Sequence, residues 1–222
     1  LIQVKSDEWD IAKKETWEYE ITCNCGEIYI GVLSAVCPKC KTHNAAYTNE
    51  IVQVNSATKD GYEIAHEGDS INLSMPNSKT RRGRVGVGVG VAQTLDTQAN
   101  QSVLLQGNIR RLTEIECEKL QGFLPNHTKF GNYDGVVKEI SRTQRYKMCG
   151  NAVTVDVVET IGNKLPPGEY VHIDLFSGIG GMHEGLLRSG ITFSHHYFSE
   201  IDKHAIANYK YNYPNAEYIG SV

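Results

Sequence analysis

The sequence predicts an α/β protein, with a parallel sheet in its final segment and a β-rich, irregular first half. The sheet is predicted by element order. Between residues 171 and 214, apolar strand runs alternate with short helical runs as β-α-β-α, the pattern of a parallel, Rossmann-like arrangement. A glycine turn, SGIGG (177–181), joins the first strand to the first helix. The irregular half is predicted by residues 70–108, which are rich in Gly, Asn, Ser and Thr and show little helical periodicity.

The elements follow in order. Residues 16–36 read as short strands, and residues 44–60 look strand-like before turning polar. Residues 70–108 read as loops and short strands. A helix starts at Thr113, because Thr113 and Glu116 have the spacing of a capping box, in which each side chain satisfies a backbone donor at the helix start. It stops near Gly122. A second helix is predicted over 152–163, where Val153, Val157, Val158 and Ile161 fall at helical spacing. LPPGEY (165–170) breaks the pattern and reads as a linker. VHIDLF (171–176) is a strand, MHEGLLRSG (182–190) a helix, HHYFSEI (195–201) a strand, and DKHAIANYKYNYP (202–214) a helix that Pro214 ends.

The 222 residues suffice for about one large domain or two small ones. Hydrophobic residues make up 40% of the chain and charged residues 22%, which allows a packed core and argues against wholesale disorder. No apolar run approaches the ~20 residues of a membrane helix. The opening LIQVKSDEWD lacks a basic and an apolar region, so no secretory signal is expected and the default compartment is the cytoplasm. The chain opens without Met, which points to a fragment or a trimmed chain. A net charge of -4 argues against a histone-like binder, but residues 72–111 carry a local +5.

Gly178, Gly180 and Gly181 follow a strand and open a helix, where glycine lets the backbone approach a ligand and take positive φ. Glu200 ends the next strand. A carboxylate there commonly takes the ribose hydroxyls of an adenine-containing ligand. The spacing is not G-x-G-x-x-G, which favours a ligand without phosphates over a dinucleotide. A tight turn with no ligand is the alternative.

DLFSGIGG (174–181) followed by SEID (199–202) resembles the first two motifs of the DNA cytosine-5 methyltransferases. RRLTEIECEKLQGF (110–123) resembles that family's ninth motif and QRYKMCGNAVTVDVVETI (144–161) its tenth. The resemblance covers roughly residues 108–222 and implies S-adenosylmethionine as the ligand. Phe176, Ser177, Gly178, Gly180 and Gly181 would then line the cofactor, Glu200 would bind the ribose, and Ile201 would pack on the adenine. Asn151 and Val153 would close the methionine end; Asn151 can also serve as a helix N-cap. The implied fold is a partial Rossmann-like S-adenosylmethionine-dependent methyltransferase sheet, with an irregular, β-rich target-recognition portion and a zinc-ribbon-like knuckle.

Two features depart from the family pattern. Motifs nine and ten precede one and two, which is the order of a circular permutation; a short linker over 164–170 can join termini that lie close together. The chemistry also lacks a part. The reaction needs a thiolate that attacks cytosine C6. The family places it in a Pro-Cys pair beside a Glu-Asn-Val element, and neither string occurs in the chain. Cys117 and Cys149 read as packing thiols. The first strand of such a sheet is central, so here it would expose an unpaired apolar edge. A complementary chain or segment carrying the Pro-Cys nucleophile is therefore expected.

Cys23, Cys25, Cys37 and Cys40 form a C-x-C and a C-x-x-C pair. Four clustered thiolates suit tetrahedral zinc, with His43 as a substitute ligand. Reduced structural thiols and an iron–sulfur site are the alternatives. Lys79, Arg81, Arg82 and Arg84 form the core of the basic stretch. They can neutralise phosphates of double-stranded DNA or form a solvated loop; the family carries its target-recognition region here.

The expected segments are a zinc-knuckle module (1–60), a target-recognition-like segment (61–110), a motif nine and ten helical segment (111–164) and a cofactor-binding β-α-β-α segment (165–222). The expected function is part of a DNA cytosine-5 methyltransferase acting in a bacterial or phage-infected cell. Restriction-modification, phage self-protection and orphan regulation are all open to it. The competing reading is a non-catalytic DNA- or partner-binding relic, and a third is a Rossmann-like enzyme acting on small molecules.

Overall fold

The computed structural model describes residues 52–86 and 92–222, with the backbone of three short earlier strands, β1 (Ile2–Gln3), β2 (Tyr19–Thr22) and β3 (Ile28–Gly31). Cys23, Cys25, Cys37, Cys40 and His43 lie outside the described residues, so the zinc reading is untouched by the structure. Contacts divide the chain into two compact units. The first is Leu1–Gln93 with Gln101–Arg111, and the second is Thr94–Asn100 with Leu112–Val222.

The first unit is made of short strands. β1 runs parallel to β4 (Val52–Asn55), which pairs antiparallel with β5 (Tyr62–Ala65). β2 and β3 form an antiparallel pair. β6 (Ser70–Asn72), β7 (Gln101–Leu105) and β8 (Asn108–Arg111) form an antiparallel sheet. Val52, Ala65, Ile71 and Leu104 are its buried apolar centre. The irregular segment before residue 86 is ordered by one carboxylate. Glu63 accepts the backbone N–H groups of Gly83, Arg84 and Val85 and the hydroxyl of Ser56. Burial pushes its carboxyl up, but these donors outweigh burial and hold it below the ordinary value.

The second unit opens with α1 (Glu114–Leu120). The predicted capping box forms: Thr113 Oγ1 accepts from Glu116 N at 3.2 Å, and Glu116 Oε2 accepts from Thr113 N at 2.8 Å. The predicted stop also forms. Gly122 takes φ +84°, and the N–H groups of Gly122 and Phe123 bond the carbonyls of Lys119 and Glu118. This is a glycine-terminated end that satisfies two orphan carbonyls. β9 (Phe130–Tyr133) and β10 (Val136–Glu139) then make a hairpin around Asp134 and Gly135, both at positive φ.

The helix expected over 152–163 is present with a later start, and a further helix, not expected, precedes it. α2 (Arg142–Asn151) precedes a break, and α3 (Val155–Gly162) follows it. α2 lacks an apolar stripe; it buries Arg145, Met148 and Cys149. Arg145 is accommodated because it pairs with Glu118 of α1 at 2.9 Å, with both side chains nearly inaccessible. Thr128 completes this network: its N–H donates to Glu118, and its hydroxyl oxygen accepts from Arg145 Nε. α3 turns Val155, Val158 and Gly162 inward, whereas Val153, Val157 and Ile161 of the expected stripe are exposed. Close approach to α4 (Gly181–Arg188) sets that rotation. A Cβ on Gly185 would lie 2.5 Å from Val158 Cβ, and one on Gly162 would lie 2.3 Å from Ser189 Oγ.

The parallel sheet has the order β11 (Glu169–Asp174), β12 (Thr192–Phe198), β13 (Glu217–Tyr218). α4 and α5 (Lys203–Asn212) connect its strands. β11 begins two residues before the predicted run and β12 three residues before its own, so Leu175 and Phe176 belong to the turn. Along β11, His172 and Asp174 are buried while Val171 and Ile173 are exposed. Among the described residues β11 pairs on one edge only. No helix among them is long and apolar enough to cross a membrane.

Candidate functional site

The glycine turn is held in shape by short-range backbone bonds. Ser199 N donates to Asp174 O at 2.8 Å, Ser177 N to Ser199 O at 3.0 Å, and Gly180 N to Ser177 O at 2.8 Å. The three glycines do different work. Gly178 has φ +52°, and a Cβ there would meet nothing within 4 Å. Gly180 has φ +89° and backs onto the Tyr213 ring, which an added Cβ would strike at 2.4 Å. Gly181 lies against the Val153 backbone, 2.7 Å from its carbonyl oxygen by the same construction. A side chain at Gly178 would thus point into open space, while Gly180 and Gly181 permit close packing.

Glu200, two residues past the end of β12, braces this turn. Its Oε2 accepts from Gly178 N at 2.8 Å, and its Oε1 accepts from Ile201 N at 2.7 Å and Asp202 N at 2.8 Å. Phe176 precedes the glycines and Ile201 follows Glu200, and each is 82% exposed. Two large apolar side chains this exposed beside an anchored carboxylate suit a ligand with a flat apolar part and a polar hydroxylated part. Ser177 is buried and Asn151 is exposed. Asp174, at the base of the turn, has its carboxyl pushed up to about 6; burial is the main cause, opposed by the Phe176 N–H and assisted by the Glu200 charge.

Residues from distant parts of the second unit meet at this turn. Gln121 at the end of α1 holds the α2–α3 break: its Nε2 donates to Cys149 O at 2.8 Å and its carbonyl accepts from Val155 N at 2.8 Å. That clamp places Val153 against Gly181. Asn151, assigned a helix N-cap as one of its two roles, is instead the last residue of α2; Thr154 precedes α3. Its cap role is therefore corrected, because the chain breaks after it rather than before. His127 Nε2–H donates to Ile179 O at 2.8 Å, and its ring stacks on Phe123 at 4.3 Å. Burial keeps His127 below its ordinary value. Lys147 pairs with Asp202 at 2.6 Å, joining α2 to the start of α5. Gln121 and Lys147 lie inside the two resembling segments and His127 between them, and the sequence marks none of the three for these contacts.

The two described thiols are poor nucleophiles. Cys117 and Cys149 are 3% and 1% exposed. Burial above all pushes the Cys117 thiol up to about 12, and it raises Cys149 as well. A thiol that stays protonated cannot attack a base.

The basic stretch divides. Lys79 and Arg82 are exposed and Arg81 is half-buried. Arg84 is 2% exposed, and its guanidinium donates to the carbonyls of Asn72, Ser74 and Met75. Its expected role at phosphates is corrected for this reason: the guanidinium is buried and its two terminal nitrogens donate inside the first unit.

A family model, C-5 cytosine-specific DNA methylase, matches residues 7–166 and 170–222. The chain is also similar to the DNA (cytosine-5)-methyltransferase DRM2 of Oryza sativa subsp. japonica, with 36% identity over 90 residues. That stretch is 39% of this chain and 13% of the relative, so the similarity spans a small part of the rice protein. With nearly its whole length matched, the chain belongs to the C-5 cytosine-specific DNA methylase family.

Proposed function

We propose that the chain is the cofactor-binding portion of a DNA cytosine-5 methyltransferase. It holds S-adenosylmethionine for methyl transfer to C5 of a flipped-out cytosine in double-stranded DNA. The observation that carries this reading is the meeting at one glycine turn of Glu200, just after β12, and Val153, in the α2–α3 break that Gln121 holds. The open space at Gly178 fits a bound molecule. Bound there, S-adenosylmethionine would supply a methyl group activated by its sulfonium. Phe176, Ser177, Gly178, Gly180 and Gly181 form its cradle, Glu200 accepts from the ribose hydroxyls, and Ile201 covers the adenine. Asn151 and Val153 close the methionine end.

The sheet is read as part of a Rossmann-like arrangement in a circularly permuted chain. Supporting this, the family match comes in two blocks whose junction, 166–170, falls on the predicted linker. The nucleophile comes from a segment or partner chain bearing a Pro-Cys pair, since the 222 residues contain none and both described thiols are buried and protonated. Lys79, Arg81 and Arg82 contact DNA phosphates. Cys23, Cys25, Cys37 and Cys40 hold a structural zinc, a reading that rests on their spacing. A second reading, a DNA- or partner-binding relic, is favoured by the burial of Cys117 and Cys149, the two cysteines among the described residues.

The test is methyl transfer from radiolabelled S-adenosylmethionine to duplex DNA, by the chain alone and with a companion polypeptide carrying the Pro-Cys and Glu-Asn-Val elements. Label in C5 of cytosine only with the companion supports the enzyme reading. No label in the presence of a folded companion, with DNA still bound, favours the relic.

A further inference from the structure

Three histidines meet beneath the parallel sheet: His172 on β11, His183 on α4 and His196 on β12. One ring nitrogen of each lies within 4.8 Å of the others. His172 and His183 are 8% and 5% exposed, and His196 is half-buried. The His183 and His196 rings stack at 3.7 Å, and His172 lies 5.2 and 5.0 Å from them. Phe193 and Tyr213 wall the cluster.

This is an unusual filling for a small core. A neutral imidazole offers a nitrogen lone pair that can bind a metal ion. His172 Nε2 and His183 Nδ1 are buried without any hydrogen-bond partner, and so is Asp174 Oδ2 nearby. Buried polar atoms are ordinarily paired, and unpaired ones concentrated in one place point to a missing partner. His196 Nε2 lies 2.8 Å from the Tyr209 hydroxyl, which leaves Nδ1 as its uncommitted nitrogen. A second, orienting bond of this kind is the usual companion of a metal-ligating imidazole.

We propose that His172, His183 and His196 form a binding site for a divalent transition-metal ion of the zinc class. Three neutral imidazoles are a common zinc donor set. Tetrahedral zinc places ligand nitrogens about 3.3 Å apart, given bonds near 2.0–2.1 Å. Reaching that from the present spacing takes ring rotations that would also unstack His183 from His196. The Asp174 carboxylate, 3.9 Å from His172 Nε2, adds a negative charge beside the cation. The ion would tie β11, α4 and β12 together directly behind the glycine turn. The three histidines are a different donor set from the four cysteines, and the site does not depend on the cofactor reading.

The test uses chelator-stripped chain titrated with Co²⁺ and then Zn²⁺, with metal content measured per chain. The expected cobalt spectrum includes one equivalent whose visible bands come without the charge-transfer absorption of cobalt–thiolate bonds. His183→Phe is expected to lose that equivalent and the rise in unfolding temperature that zinc gives the wild type. His196→Gln serves as the second variant if His183→Phe does not fold. The wild-type imidazole ¹⁵N spectrum provides a readout without any substitution, because zinc should shift the signals of these three rings. Thiolate-type cobalt only, unchanged stoichiometry in a folded variant, or imidazole signals indifferent to zinc would overturn the proposal.

Discussion

At the scale of single residues, neighbouring glycines carry different costs. Gly178→Ala adds a Cβ into open space, so its stability cost is that of the left-handed backbone alone, about 1–2 kcal/mol. It also fills part of the proposed cradle, so S-adenosylmethionine binding should weaken far more than stability falls. Gly181→Ala drives a Cβ against the Val153 backbone and should cost about 1–3 kcal/mol through overpacking. Urea melts and cofactor titrations on both variants check the contrast; equal effects at the two sites would contradict it. Glu118 is a different case. It is completely buried and paired with Arg145. Glu118→Ala leaves that guanidinium without its partner and should cost about 3–5 kcal/mol in a urea melt. Glu118 and Arg145 sit inside the two resembling motifs, yet neither announces its burial, because charged residues are ordinarily exposed.

At the scale of elements, what could be read from the sequence follows from how local each signal is. The α1 cap, its glycine stop and the β-α-β-α order are written in adjacent residues, and all are present. Thr113→Ala should therefore cost about 1 kcal/mol, within the 0.5–2 range of lost caps, measurable as a shifted melt. α2 was invisible because its buried face consists of Arg145, Met148 and Cys149, and the arginine's partner lies 27 residues away. The rotation of α3 was misread for a related reason. Its inward face is set by contact with Gly185 and Ser189 of another segment, not by its own apolar count. The β9–β10 hairpin did carry a local sign, the Asp134-Gly135 pair, which strand patterning overlooked. In the candidate site, Glu200 and the glycines were legible from their places at strand ends. Gln121 and His127, which hold the turn from behind, were not, because each acts through a backbone carbonyl in a distant segment. Arg84 shows the converse: its neighbours suggested a surface charge, and tertiary structure buried it.

At the scale of the whole chain, the parallel sheet explains why a further segment is expected. Parallel sheets are ordinarily covered on both faces. Here Val171, Ile173 and Leu175 are exposed at 56, 55 and 45%, and β11 has one edge unpaired among the described residues. Sedimentation of the chain alone should show concentration-dependent association that the Pro-Cys-bearing companion suppresses. A monodisperse monomer at all concentrations would contradict the proposed companion. The central claim is that the glycine turn and Glu200 bind S-adenosylmethionine. It is tested most directly by calorimetric titration of the cofactor into the wild-type chain and into Glu200→Gln. Saturable binding, weakened about tenfold or more by loss of the charged acceptor, is the predicted result. Equal affinity in the two proteins, or no binding by folded wild-type chain even with its companion, would contradict it.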